Sequence, residues 1–188
     1  MEQDDVELVR LAQRGDRDAF GVLISRHARS ILSLTTRMLG PADAEDVAQE
    51  TFVAAFKALP AFKSGSKFST WLYRIGVNKC TDSLRARRPE NTPLDVIADD
   101  GADARAIADD DTPLSELEQA ELAWELDRGI QALPHVYRES FVLRHIEGLG
   151  YEEMSAILGV HRDTLKMRVY KARTLLCQSL AYLDGAYR

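Results

Sequence analysis

Residues 89–113 constrain this chain more than any other stretch. They hold Pro89, Pro93 and Pro113, the acidic groups Asp99-Asp100 and Asp109-Asp110-Asp111, and few large apolar side chains. Such a segment cannot bury enough apolar surface to offset the entropy of ordering it, so it reads as a flexible acidic linker. A chain of 188 residues divided there yields two small domains, 1–88 and 114–188. On neither side does strand-like alternation persist. The stretches between Gly and Pro punctuation are helix-length and repeat their apolar residues with a 3.6-residue period, so the fold is all-α. The first domain carries helices over 4–14, 17–39, 43–58 and 68–86. Gly15-Asp16 and Gly40-Pro41 mark ends, and Asp43 is placed to cap the third helix with Asp46 three residues on. The second carries helices over 114–131, 134–147, 151–158 and 162–181, with Pro134 in a first turn and Gly148 and Gly150 bracketing a short turn.

The net charge of −6, from 24 basic and 30 acidic side chains, speaks against a nucleic-acid partner when taken whole. Its distribution reverses that impression. Residues 61–88 carry 7 basic and 1 acidic side chain, 89–127 carry 1 and 13, and 128–188 carry 9 and 6. Two basic zones flank an acidic one, and DNA responds to the local field. Charge alone leaves open that these are solvated helix faces and a solvated linker.

Several classes fall away. A hydrophobic share of 45% with 29% charged residues excludes a wholly disordered or fibrous chain. No run approaches the roughly 18 apolar residues of a membrane helix. The acidic start Met1-Glu2-Gln3-Asp4-Asp5 lacks the basic and apolar regions of a secretory signal. Cys80 and Cys177 cannot build a disulfide framework or a four-cysteine zinc site, so a reduced, cytoplasmic location is the simplest expectation. His27, His135, His145 and His161 have no Cys or His at ligand spacing and read as surface residues, Cys80 as core. Neither a catalytic constellation nor a metal or cofactor site is expected, and the chain does not read as an enzyme.

The sharpest local signal lies at 151–177. A short helix presenting Met154, Ile157 and Leu158, a turn at Gly159-Val160-His161 and a longer helix make a helix-turn-helix. At about 100° per residue, Leu165, Val169, Ala172 and Leu176 form one buried stripe. Met167, Tyr170, Thr174 and Asp163 fall opposite, flanked by Lys166, Arg168, Lys171 and Arg173. A recognition helix needs such apolar and polar tips for base edges and cations for phosphates. The plainer reading packs Met167 and Tyr170 against a neighbour and leaves the cations in solvent.

The stretch 62–88 interleaves Lys63, Lys67, Arg74, Lys79, Arg85, Arg87 and Arg88 with Phe62, Phe68, Trp71 and Tyr73. Rings stack bases and cations meet phosphates in single-strand recognition. Tyr73, Val77, Cys80 and Leu84 share a buried stripe. Trp71, Arg74, Ile75, Asn78 and Asp82 form a mixed face beside a Gly-Ser loop, although Trp71 and Ile75 also suit a core. In the helix over 43–58, Phe52, Phe56, Leu59, Ala48 and Ala55 share one arc. Asp43, Asp46 and Glu50 share another, with Gln49 and Val53 beside them. Acids in the first turns suit the helix dipole, and they equally suit an acidic docking face for a basic partner.

Four segments in order carry a family likeness. They are Asp43-Ala-Glu-Asp-Val-Ala-Gln-Glu-Thr-Phe52, Phe68-Ser-Thr-Trp-Leu-Tyr-Arg-Ile-Gly-Val-Asn78, Leu133-Pro-His-Val-Tyr-Arg-Glu-Ser-Phe-Val-Leu-Arg144 running on to Met154, and Thr164-Leu-Lys-Met-Arg-Val-Tyr-Lys-Ala-Arg173. The chain resembles an extracytoplasmic-function (ECF, group IV) sigma factor of bacterial RNA polymerase. The resemblance implies that residues 1–88 dock on core polymerase and melt the minus-ten element. It makes 89–113 the acidic linker and 114–188 the reader of the minus-thirty-five element. Asp43, Asp46, Gln49, Glu50 and Val53 then face the coiled coil of the β′ subunit, and the β flap is a second contact. Lys63, Ser66, Lys67, Phe68, Tyr73 and Asn78, with Trp71 and Arg74 of the mixed face and the cation Lys79, become minus-ten candidates around a flipped base. Lys166, Met167, Tyr170 and Lys171 would face bases, and Thr164, Arg168 and Arg173 phosphates. Promoter DNA and an anti-sigma factor are the further implied partners. Asp163 and Met167 depart from the family's usual Gly and Ser. Asp163 would repel phosphate or accept from cytosine N4, so both positions bear on which minus-thirty-five sequence is read. A stand-alone helix-turn-helix regulator and a sigma mimic that titrates an anti-sigma factor are the rival readings. On the sigma reading the free chain is expected to bind promoters poorly, because a flexible acidic tether does not hold the two domains at the required spacing.

Overall fold

The computed structural model describes residues 4–63, 65–87 and 116–181, with side chains in the last segment from 121. The linker expected at 89–113 lies outside the described residues. Among these residues the secondary structure is all helix: α1 (Asp5–Gln13), α2 (Arg17–Leu39), α3 (Pro41–Ala58), α4 (Phe68–Ala86), α5 (Glu116–Ala132), α6 (His135–Phe141), α7 (Tyr151–Leu158) and α8 (Arg162–Leu180). A 3-10 turn, Leu59–Ala61, follows α3, and a π turn, Val142–Ile146, extends α6.

Local chemistry accounts for the ends. Asp16 caps α2 by accepting from the Asp18 and Ala19 amides at 3.0 Å. α3 begins at Pro41 with Gly40 as its N-cap, so Asp43 is not the cap. Proline's fixed φ and missing N–H suit the first helical position, which starts the helix ahead of the acid. Asp43 then meets the helix dipole from within the first turn.

Leu8, Leu23, Ile31, Leu34, Met38, Leu59 and Leu72 are fully buried among α1–α4, and Ile130, Val142, Leu143, Met154 and Leu165 among α5–α8. The two sets join in one hydrophobic cluster. α4 packs along α7, and α2 faces α5 and α6. Arg138 ties the halves by donating to the Met38 carbonyl at 2.6 Å and to the Leu133 carbonyl of its own half at 2.8 Å. Thr81 Oγ1 lies 3.2 Å from His135 Nε2, and Arg37 Nε lies 3.4 Å from Asp127. The halves therefore hold each other, whatever the tether does. Loop-closure entropy grows so slowly with length, about 0.6 kcal/mol per doubling, that the shared hydrophobic cluster with a few part-buried hydrogen bonds outweighs it.

Candidate nucleic-acid interface

The helix-turn-helix forms as its periodicity predicts. Gly159 ends α7 at φ +67°, a left-handed conformation that reverses the chain into the turn over 159–161. α8 buries Leu165, Val169, Ala172 and Leu176 and turns Met167 (58% exposed) and Tyr170 (43%) outward. Thr174, expected on that outer side, is buried, and its hydroxyl donates to the Tyr170 carbonyl at 3.2 Å. α6 and α5 both press on α8, which widens its buried arc toward the C-terminus.

The flanking cations are not equivalent. Thr164, Lys166 and Arg173 are exposed and Lys171 is half-buried. Lys166 Nζ bonds Asp163 at 3.0 Å, which holds that carboxyl below its usual range. Arg168 turns inward to Glu139 at 3.2 Å, so a phosphate reaching it must displace a buried carboxylate. Glu139 also lies 3.3 Å from His135 Nε2. Burial pushes its carboxyl up to about 7, against the pull of Arg168.

In the first half, Gln13 pins the loop after α3 by donating to the Leu59 and Phe62 carbonyls at 2.9 and 2.8 Å. Phe62, Phe68 and Trp71 form a cluster of tilted and edge-on rings with centroids 4.8–6.2 Å apart. Beside them opens a cavity of about 380 Å³, lined by Ser66, Lys67, Phe68, Ser69 and Phe62 from the loop and by Asp4, Asp5, Val6 and Val9 from the start of α1. The α1 residues are brought there by tertiary packing and have no motif of their own. Asp5 is tied to Arg26 and to His27, the latter at 2.8 Å. Lys63, Ser66, Arg74 and Asn78 are exposed, Trp71 and Lys79 half-buried, and Phe68 buried. Tyr73 is only 7% exposed, and its hydroxyl donates to Glu147 at 2.5 Å. Burial and that carboxylate together raise its pKa, so it remains a donor. His27 and His135 are not surface residues, because each is half-buried against a carboxylate. Among the described residues no cluster of His, Cys, Asp and Glu could hold a metal ion.

On α3, Asp46, Gln49, Glu50 and Val53 are exposed, Val53 at 54%. Asp43 pairs with Arg87, and Glu50 with Lys79 at 3.1 Å. Phe56, on the apolar arc of α3, is 48% exposed. Its ring packs on Phe20, centroids 5.0 Å apart.

The Sigma-70 region 2 profile matches residues 23–90, and the Sigma-70, region 4 profile matches 123–176. The chain is 36% identical over 177 residues to the ECF RNA polymerase sigma-E factor of Haemophilus influenzae, covering 92% of this chain and 93% of that protein. It is 37% identical over 172 residues to the sigma-E factor of Escherichia coli K12, covering 90% of each. The chain belongs to the ECF sigma factors. The solved structure of CnrH in complex with the cytosolic domain of CnrY matches this sigma factor at a TM-score of 0.68 and 32% identity, over 96% of this chain and 97% of that one. Region 2 of the sigma factor spans most of α2, all of α3 and α4, and the intervening loop; region 4 spans most of α5 through α8. No described helix is long and apolar enough to cross a membrane.

Proposed function

We propose that this sigma factor divides promoter recognition between three faces. Residues 1–88 act as the docking and melting domain and 114–188 as the duplex reader, joined by the linker at 89–113. The outer face of α3, with Asp43, Asp46, Gln49, Glu50 and Val53, holds the β′ coiled coil of core polymerase. The α5–α8 half meets the β flap. α8 lies in the major groove of the minus-thirty-five element, with Lys166, Met167, Tyr170 and Lys171 toward bases and Thr164, Arg168 and Arg173 toward phosphates. Lys63, Ser66, Lys67, Phe68, Trp71, Tyr73, Arg74, Asn78 and Lys79 engage the minus-ten strand, and the cavity beside Phe62 takes an unstacked base. Unstacking costs a few kcal/mol, which binding offsets, so the chain needs no nucleotide hydrolysis and acts as a non-enzymatic factor in the cytoplasm. An anti-sigma factor restrains it until a stress or envelope signal arrives, as CnrH is solved with the cytosolic domain of CnrY.

The observation that carries this reading is the outward pair Met167 and Tyr170, opposite the buried stripe of α8 and among cations. Run-off transcription on genomic templates with core polymerase tests it. The sigma factor should yield promoter-specific transcripts, and their absence on every template refutes the reading. Lys166→Glu with Lys171→Glu should abolish those transcripts while co-elution with core polymerase persists. A sigma mimic would be indifferent to that double change. A stand-alone regulator would bind its operator without polymerase.

A further inference from the structure

We propose that the free sigma factor closes on itself and that two carboxylates of its C-terminal half, Glu147 and Glu153, occupy in cis the donors that otherwise meet the promoter strand. The inference rests on the assignment of Lys67 and Tyr73 to the minus-ten face. Glu147 leaves the π turn and accepts from the Tyr73 hydroxyl at 2.5 Å with one oxygen and from the Ser33 hydroxyl at 2.8 Å with the other. Glu153, in the first turn of α7, accepts from Lys67 Nζ at 2.9 Å and from the Gly150 amide at 3.1 Å. A carboxylate, like a phosphate, is an anionic group that only accepts hydrogen bonds. The two therefore satisfy a hydroxyl and an ammonium group in the way a DNA strand would.

The carboxylates are presented on a braced scaffold. The Glu147 amide bonds the Val142 carbonyl at 3.0 Å. Arg144 bonds the Leu149 carbonyl at 2.9 Å and stacks on Tyr151, which fixes the segment between them. With Tyr73 buried, no strand reaches its hydroxyl until α7 leaves α4. The closure is one-sided, because Met167, Tyr170 and Lys166 on α8 stay exposed while Tyr73 is buried and Lys67, itself exposed, is held by Glu153. The seam also carries separable polar links, such as Thr81 with His135 and Arg37 with Asp127, whose groups water can take over. A factor that spaces the halves along a promoter would release both donors together.

The test uses the full chain and its Glu147→Ala/Glu153→Ala variant. A fluorescein-labelled, mixed-sequence single-stranded 12-mer is titrated by anisotropy, and the radius of gyration is measured by small-angle scattering. Raising the open fraction lowers the apparent dissociation constant in proportion, so the variant should bind about tenfold tighter and scatter as a larger particle. Glu121→Ala/Glu152→Ala removes equal charge away from these contacts and should stay within about twofold of the parent. A gain there equal to that of the seam variant overturns the proposal. Should the seam variant lose its thermal transition, Glu147→Gln, which keeps the shape and drops the charge, must still tighten binding. Unchanged strand affinity in a folded seam variant overturns the proposal. In that case, loss of minus-ten permanganate reactivity in holoenzyme carrying Lys67→Ala would show that the minus-ten assignment itself survives.

Discussion

The Arg168 guanidinium of α8 lies 3.2 Å from the carboxylate of Glu139 on α6, and Glu139 is almost wholly shielded from water. Burial lifts the Glu139 carboxyl from an ordinary 4.5 to about 7. A carboxyl raised in this way holds its proton more tightly in the folded chain than in the unfolded one. Its contribution to stability is complete below about pH 4.5 and is lost as pH climbs through about 7. At about 1.4 kcal/mol per pH unit, the loss is on the order of 3 kcal/mol. The melting temperature should therefore fall by roughly 5–10 °C between pH 5 and pH 8. Glu139→Gln should flatten that slope, and a slope that persists in the variant assigns it elsewhere. Glu153 works in the opposite direction. Its bonds to Lys67 and the Gly150 amide hold it below the usual range, so its contribution is lost on acidification and does not mask the slope above pH 5.

Met167 and Tyr170 stand one turn apart on the open side of α8. Met167 is the more exposed, so Met167→Ala should change stability by less than about 0.5 kcal/mol, and Tyr170→Ala, which removes a ring more than half covered, by about 1 kcal/mol. A base contact is worth about 1–3 kcal/mol of discrimination. Holoenzyme carrying Met167→Ala or Tyr170→Ala should accordingly bind a minus-thirty-five duplex about tenfold more weakly or with relaxed preference at one base pair. Competition binding with single-base promoter variants measures this. An unchanged preference profile in both variants removes these side chains from base readout.

The α3 face predicts a separation of effects. Val53 is 54% exposed, so Val53→Asp should leave the melting temperature nearly unchanged yet cut affinity for core polymerase at least about tenfold, as loss of an interface anchor does. Phe56→Asp should do both, because its ring also packs on Phe20. Asp43 and Glu50 already hold Arg87 and Lys79, so a partner must displace those cations before using the carboxylates. Gln49→Ala is expected to weaken core binding more than Glu50→Ala. Co-elution and surface plasmon resonance against core polymerase rank the three.

Helix positions and the buried stripe of α8 were legible because both follow from periodicity within one element. Tyr73 shows where that reasoning ends. Its place on a buried stripe of α4 is visible in the spacing, but the group that meets its hydroxyl, Glu147, comes from the other half of the chain. Periodicity assigns a residue to a face and says nothing of what covers that face. Phe56 shares the apolar arc of α3 in the spacing and is still 48% exposed, because that arc is wider than what packs against it. The α1 residues that line the cavity carried no signal, because only tertiary packing brings Asp4, Asp5, Val6 and Val9 to the loop. For Glu139 a weak signal existed: an acid four residues after His135, between the apolar positions Val136 and Val142, must find a cation or hold its proton once buried.

Gly159 offers a stability test confined to the helix-turn-helix. Its φ of +67° closes α7, and its amide bonds the Ser155 carbonyl at 2.9 Å. A Cβ at this position would meet nothing within 4 Å, so the cost of a side chain is purely conformational. For a β-branched residue in the left-handed region that cost is about 1–2 kcal/mol. Gly159→Val should therefore lower the denaturant midpoint without changing the slope, whereas Gly159→Asn, which tolerates the left-handed region, should stay within about 0.5 kcal/mol of the parent. Because α8 is aimed by this turn, promoter binding by holoenzyme should weaken in Val and persist in Asn, with core affinity constant in both. Equal stability of the two variants would mean that the turn relaxes to another conformation and does not fix the direction of α8.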